Sequence, residues 1–164
     1  LTAPGGEALP AIRAAFGEGV FLPDGALDRR GLGEIVFRDA ERRRALEAIL
    51  HPAVQRRMLR QVAEAEAGGA QAVVMEVPLL YETGMDALCD EVWVALLDGE
   101  SQILRLMNRD RLTREQALAR IASQMPLADK AARADVVIRT DKSAPEVQKE
   151  VAHLYRDLLK RIAR

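Results

Sequence analysis

Residues 71–84, QAVVMEVPLLYETG, constrain this chain more than any other stretch. Their apolar run, 73–80, carries one charge at Glu76, follows the Gly68-Gly69 break and meets Pro78 near its end. A valine-rich run of that length between turn residues predicts a strand buried on both faces. Pro78 has no N–H for a ladder, so the strand is expected to fray there and to release Leu79, Leu80, Tyr81 and Glu82 as a loop. Two further runs, 91–97 and 135–139, also read as strands, with helical sequence between successive ones. Strands that alternate with helices imply an α/β fold with a parallel sheet, whose ligands sit at the C-terminal ends of the strands.

The chain before this stretch reads as helical hairpins. Leu9, Ile12 and Phe16 share one face of a short helix that Gly17 and Gly19 stop. Pro23-Asp24-Gly25 makes a turn, and Asp28 caps a second helix that presents Leu32, Ile35 and Val36. Asp39 caps a third, which Pro52 should end at His51, and a fourth spans 52–67 with Val54, Met58 and Val62 inward. After the second strand, Ser101 is a cap for a helix carrying Ile103, Leu104, Leu106 and Met107, and 108–112 is a bend. Thr113 with Gln116 forms a capping box for the next helix, and Pro126 begins a short one. Ser143 with Glu146 boxes the last, whose stripe of Val147, Val151, Leu154, Leu158 and Ile162 can cover a sheet.

A chain of 164 residues, 49% apolar, suits one globular unit with its own core. A formal net charge of −1 argues for neither nucleic acid nor an anionic membrane as a partner. Cys89 is alone, so no internal disulfide can form, and a reducing, cytoplasmic setting fits. Arginine dominates the basic residues, twenty of 24, through codon preference or through a use for forked donors.

Five of those arginines lie between 101 and 120, and Arg105 and Arg109 are one helical turn apart. Two guanidinium groups so placed can grip adjacent phosphates, as a lid over a nucleotide would, or they can pair with Asp110 and Glu115 on a solvated face. Glu76 inside a buried strand needs a partner, either an arginine or a cation such as magnesium through water. His51, before Pro52, should expose its ring at a joint between helices, where it either hydrogen-bonds structurally or touches a substrate.

These residues resemble the dephospho-CoA kinase family. The resemblance runs through APGGEALPAIRAAFGEGV near the start, DGALDRRGL at 24–32, LHP at 50–52, VPLLYETG at 77–84, RLMNRD at 105–110, LTREQALARIASQ at 112–124 and ADVVI at 134–138. It implies a P-loop NTPase-like parallel sheet flanked by helices, in one compact unit. Residues 1–67 would be the helical CoA-substrate region, 68–100 and 131–164 the α/β core, and 101–130 an arginine-rich lid.

The implied reaction moves the γ-phosphoryl of ATP to the ribose 3′-hydroxyl of dephospho-CoA, with Mg2+ accompanying ATP. The resemblance implies that His51, Leu79, Leu80, Tyr81 and Glu82 face dephospho-CoA, and that Arg105 and Arg109 face the phosphates, Arg109 as the catalytic residue. Gln124 and Thr140 would lie near the lid and the adenine side. It assigns no direct metal ligand in this sequence.

The family's glycine-rich loop ending in Gly-Lys-Ser/Thr occurs nowhere in the 164 residues, nor does the acidic residue beyond its helix. A missing amino-terminal piece of roughly thirty residues or more, the size of a βα unit with its next strand, would account for both, and these residues alone are then expected to be inactive. Thr140, where the family commonly has asparagine, and Met125-Pro126-Leu127, where it is usually polar and basic, are smaller departures. Two other classes remain open: a non-catalytic module that binds CoA or a protein, and a nucleoside monophosphate kinase.

Overall fold

The computed structural model describes residues 1–163, which divide into two compact units, Leu1–Met75 and the residues from Glu76 onward, where the sequence suggests one. The first unit is helical: α1 (Leu9–Phe16), α2 (Arg29–Arg38) and α3 (Ala40–Ala67). Gly17 ends α1 at φ 79° and ψ −176°, a conformation that only glycine enters freely. The carboxylate of Asp28 accepts the N–H groups of Arg30 and Gly31, and that of Asp39 accepts those of Glu41 and Arg42, so both acidic caps form. Ala8, Ile12, Val20 and Leu32 make the core, with Phe16, Val36, Leu46, Ile49 and Leu50 packed on it.

One expectation fails here. Pro52 does not end a helix, because α3 runs unbroken for 28 residues. An internal proline costs roughly 3 kcal/mol or more through the lost hydrogen bond and the ring clash. Unwinding at this point would withdraw Ile49 and Leu50 from the core and uncover Ala53, which is 2% exposed. The carbonyl that loses its helical partner belongs to Ala48, an exposed residue, so water can reach that side of the helix. Ala53 rather than Val54 is therefore the buried position, and Val54 is exposed.

The second unit holds β1 (Trp93–Leu96), α4 (Gly99–Asp110), α5 (Arg114–Ala122), α6 (Leu127–Arg133), β2 (Val136–Arg139) and α7 (Ala144–Ile162). The two strands pair in parallel, with Trp93 opposite Val136 and Leu96 opposite Arg139. The ladder is closed at both ends: Val92 N–H donates to the Asp135 carboxylate at 2.7 Å, and Thr140 N–H donates to the Leu96 carbonyl at 2.8 Å. At the start of α7 the Glu146 carboxylate accepts both the N–H and the hydroxyl of Ser143. At its other end Arg161 bonds Glu91, just ahead of β1, at 2.7 Å. Ile103 of α4, Ala117 of α5 and Ile138 of β2 are buried.

The strand expected at 73–77 does not form: this segment pairs with no strand among the described residues, and Val74 is 83% exposed. A strand exists through its neighbour's ladder, and neither β1 nor β2 lends its second edge to this segment. Glu76 is accordingly exposed, so neither a buried ion pair nor a cation is required to explain it. Among the described residues no helix is long and apolar enough to cross a membrane.

Candidate functional site

The C-terminal ends of β1 and β2 are the part of an α/β sheet where ligands bind, and here the end of β1 leads directly into the arginine-rich helix α4, while that of β2 leads into α7. The carboxylate of Asp98, just past β1, begins α4 by accepting Ser101 N–H at 2.9 Å. Asp98, not Ser101, is thus the cap. The hydrogen bonds from Ser101 hold its carboxyl below the ordinary range, against the opposing effect of burial. From α4, Arg105 donates to the carbonyl of Thr140 at 2.7 Å, while the Thr140 hydroxyl donates to the Leu96 carbonyl at 3.1 Å. Arg105 and Thr140 are therefore brought together at the strand ends, and the first arginine of the pair secures α4 to the segment just after β2.

Arg109, the second, has a different partner. Its guanidinium bonds both carboxylate oxygens of Asp110, at 2.8 and 3.0 Å, and its side chain is 70% exposed. Arg120 of α5 reaches the same carboxylate at 2.7 Å. Arg111, between the helices, takes the left-handed conformation (φ 54°), the one non-glycine residue of positive φ among those described. The hydrogen bond from Arg109, reinforced by the charge of Arg120, keeps the Asp110 carboxyl below the usual range. Arg114 and Glu100 tie α5 to α4 by two bonds of 2.5 and 2.7 Å. The solvated-face partner Asp110 is thus engaged, in a geometry that leaves Arg109 open to solvent.

The loop after Pro78 forms a third cluster. Thr83 closes it locally, its hydroxyl 2.7 Å from the Leu79 carbonyl, and Gly84 at φ 68° turns the chain into a 3-10 turn at Met85–Leu88. Leu79 and Leu80 are half-buried. Tyr81 is 8% exposed beneath the guanidinium of Arg133, which lies 4.2 Å from the ring centre. Its hydroxyl has no hydrogen-bond partner among the described residues, and burial pushes its pKa up. Glu82 accepts Lys130 Nζ at 2.7 Å and Met125 N–H at 2.8 Å. Burial alone would raise its carboxyl, but the bonds from Lys130 and Met125 prevail and hold it below the ordinary value. Gln124, next to Met125, is exposed.

His51 belongs to the first unit, where it is exposed on α3 rather than at a joint between helices. That unit also has a recess of about 250 Å³ lined by Leu1, Gly5, Gly6, Glu7, Arg57 and Arg60, bordered by none of the sequence-predicted site residues. Among the described residues no three His, Cys, Asp or Glu side chains gather as a metal-binding group. Lys130, Arg133 and Arg120 escape the sequence reading. The one available signal is Lys130 and Arg133 at i and i+3 of a short helix, in a chain with few lysines.

The arrangement offers anion-binding guanidinium groups at the parallel strand ends, on a hairpin beside a strapped loop. Known proteins resemble the chain in fold and sequence. A crystal structure from Thermus thermophilus superposes with a TM-score of 0.70 at 33% identity, over 92% of this chain and 80% of that one. A dephospho-CoA kinase structure from Campylobacter jejuni does so at 0.67 and 28% identity, over 94% and 76%. Relatives named dephospho-CoA kinase include those of Symbiobacterium thermophilum, 49% identical over 95% of this chain, and Geobacter sulfurreducens, 43% identical over 93%. The chain spans 65% of the length of the first and 77% of the second. With the dephospho-CoA kinase family model matching residues 1–146 as well, the chain belongs to the dephospho-CoA kinase family.

Proposed function

We propose that this protein transfers the γ-phosphoryl group of ATP to the ribose 3′-hydroxyl of dephospho-CoA, giving coenzyme A. The observation that carries the reading is the family match over residues 1–146, supported by relatives of the same name at 40% identity and above. In this reading the parallel sheet belongs to a P-loop kinase core, residues 101–130, with the α4–α5 hairpin as their body, are its lid, and the helical region 1–67 serves the CoA substrate. His51, Leu79, Leu80 and Glu82 face dephospho-CoA. Tyr81, enclosed under Arg133, shapes the loop from below.

Phosphoryl transfer spreads charge over the equatorial oxygens of the moving group, so catalysis is mostly positioning and charge stabilisation. Arg109 suits that task, because its exposed fork can exchange Asp110 for a phosphate while Arg120 keeps the carboxylate compensated. Arg105 spends one donor on Thr140 and keeps the rest of its guanidinium for phosphate. Gln124 and Thr140 lie on the adenine side. Mg2+ accompanies the phosphates of ATP in this reading.

The 164 residues by themselves do not transfer phosphate in this reading, because no Gly-Lys-Ser/Thr loop is present to cradle the phosphates. The test is mass-spectrometric detection of coenzyme A formed from dephospho-CoA and ATP. The product of the whole gene makes it and the 164-residue chain does not. Phosphorylation by the 164-residue chain would refute the inactivity, and none by the whole gene product would refute the activity.

A further inference from the structure

We propose that Lys130 and Glu82 are a positioning pair that couples the substrate loop to the nucleotide lid, so that each substrate raises the affinity for the other. The inference rests on the reading above, in which residues 79–82 face dephospho-CoA and the α4–α5 hairpin serves ATP.

Lys130 is the most enclosed cation among the ion pairs of the described residues, its side chain 12% exposed. Its ammonium lies 2.8 Å from the carbonyl of Pro78, where the loop begins, and 2.7 Å from the Glu82 carboxylate, four residues later. A compact ammonium with several rotatable donors can hold a carbonyl and a carboxylate together, which the planar fork of arginine does less readily. The same Glu82 oxygen accepts the N–H of Met125 at 2.8 Å, in the link that follows α5. One carboxylate oxygen therefore receives one bond from α6 and one from the link between α5 and α6, both from the end of the lid.

A second prong stands one turn along α6. Arg133 covers the Tyr81 ring at 4.2 Å and bonds Asp86 at 2.9 Å, so the loop is strapped near its start, middle and end by a single short helix. Movement of the loop toward a ligand must carry α6 and the 123–126 link with it or break charged, mostly enclosed bonds. Through these bonds a shift of the loop on binding one substrate is passed to the lid, and a shift of the lid to the loop. Packed, hydrogen-bonded chains of this kind can carry coupling between sites, and the coupling is reciprocal.

The experiment is calorimetry on the whole gene product, using a non-hydrolysable ATP analogue with and without saturating dephospho-CoA. The parent should bind the analogue more tightly when dephospho-CoA is present, within the range of about 5- to 150-fold usual for coupled sites, and dephospho-CoA should gain by the same factor. Lys130→Met should bring that factor close to one while leaving analogue affinity in the absence of dephospho-CoA nearly unchanged, and Lys130→Arg should restore part of it. If Lys130→Met does not melt cooperatively, Glu82→Gln decides, since its amide oxygen can still accept Met125 N–H and only the charge is lost. Coupling of parental size in Lys130→Met or, where that variant does not fold, in Glu82→Gln overturns the proposal, as does a parent that turns over both substrates without coupling. A parent that binds no dephospho-CoA overturns the substrate reading itself.

Discussion

Arg120 reaches across from α5 and places its guanidinium 2.7 Å from the carboxylate of Asp110, at the end of α4. The bond closes the arginine hairpin and leaves Arg109, the other partner of that carboxylate, on the solvent side. Replacing Asp110 by Asn removes the charge that orients both. We expect turnover to fall by about 10- to 100-fold, the scale on which misplacement of a positioned group acts. KM for ATP should not rise, because phosphate no longer competes with the carboxylate. Steady-state kinetics with ATP varied would show this; a raised KM at full kcat would contradict it.

Arg109→Ala tests the guanidinium fork itself. A group that meets charge only as it develops in transfer should cost turnover far more than ground-state binding, by about 10³ or more for an arginine in this role. Equal turnover in variant and parent would reduce Arg109 to a solvated partner of Asp110.

Tyr81 makes a prediction about stability. Its ring is buried but its hydroxyl has no partner among the described residues, and an unsatisfied buried hydroxyl costs about 1–3 kcal/mol. Tyr81→Phe should therefore unfold in urea at an equal or higher midpoint, whereas Tyr81→Ala should lose about 3–5 kcal/mol by emptying the site under Arg133. A clear destabilisation by the Phe variant would mean that the hydroxyl is bonded in solution.

The Glu82 carboxyl is held below its ordinary value in the folded chain, so folding favours its charged form. Its contribution to stability is present above the unfolded pKa and is lost as pH falls through the lower, folded one. Unfolding midpoints followed from neutral pH into the acid range should converge for parent and Glu82→Gln at the acid end. A difference that stays constant with pH would detach the effect from ionisation.

What is legible in the sequence is local. Asp28 and Asp39, the Thr113–Gln116 box and the Ser143–Glu146 pair act within three residues of themselves, and each forms at the predicted place. The segment 73–77 has the composition of a strand but not its pairing, because a strand is a relation with a partner, which no window of sequence contains. His51 reads as a helix joint because Pro52 disfavours helix locally, yet the packing of Ile49, Leu50 and Ala53 outweighs that preference. At the site, the family motifs mark Glu82 and Arg109. Lys130 and Arg120 stay hidden because their partners lie 48 and 10 residues away.

The most direct measurement is the position of the new phosphate. Whole gene product incubated with dephospho-CoA, ATP and Mg2+ should yield coenzyme A whose added phosphate shows, by phosphorus and proton NMR, as a monoester on the ribose 3′ oxygen. No added phosphate on dephospho-CoA, or phosphate transferred instead to a nucleoside monophosphate offered in competition, would contradict the assignment.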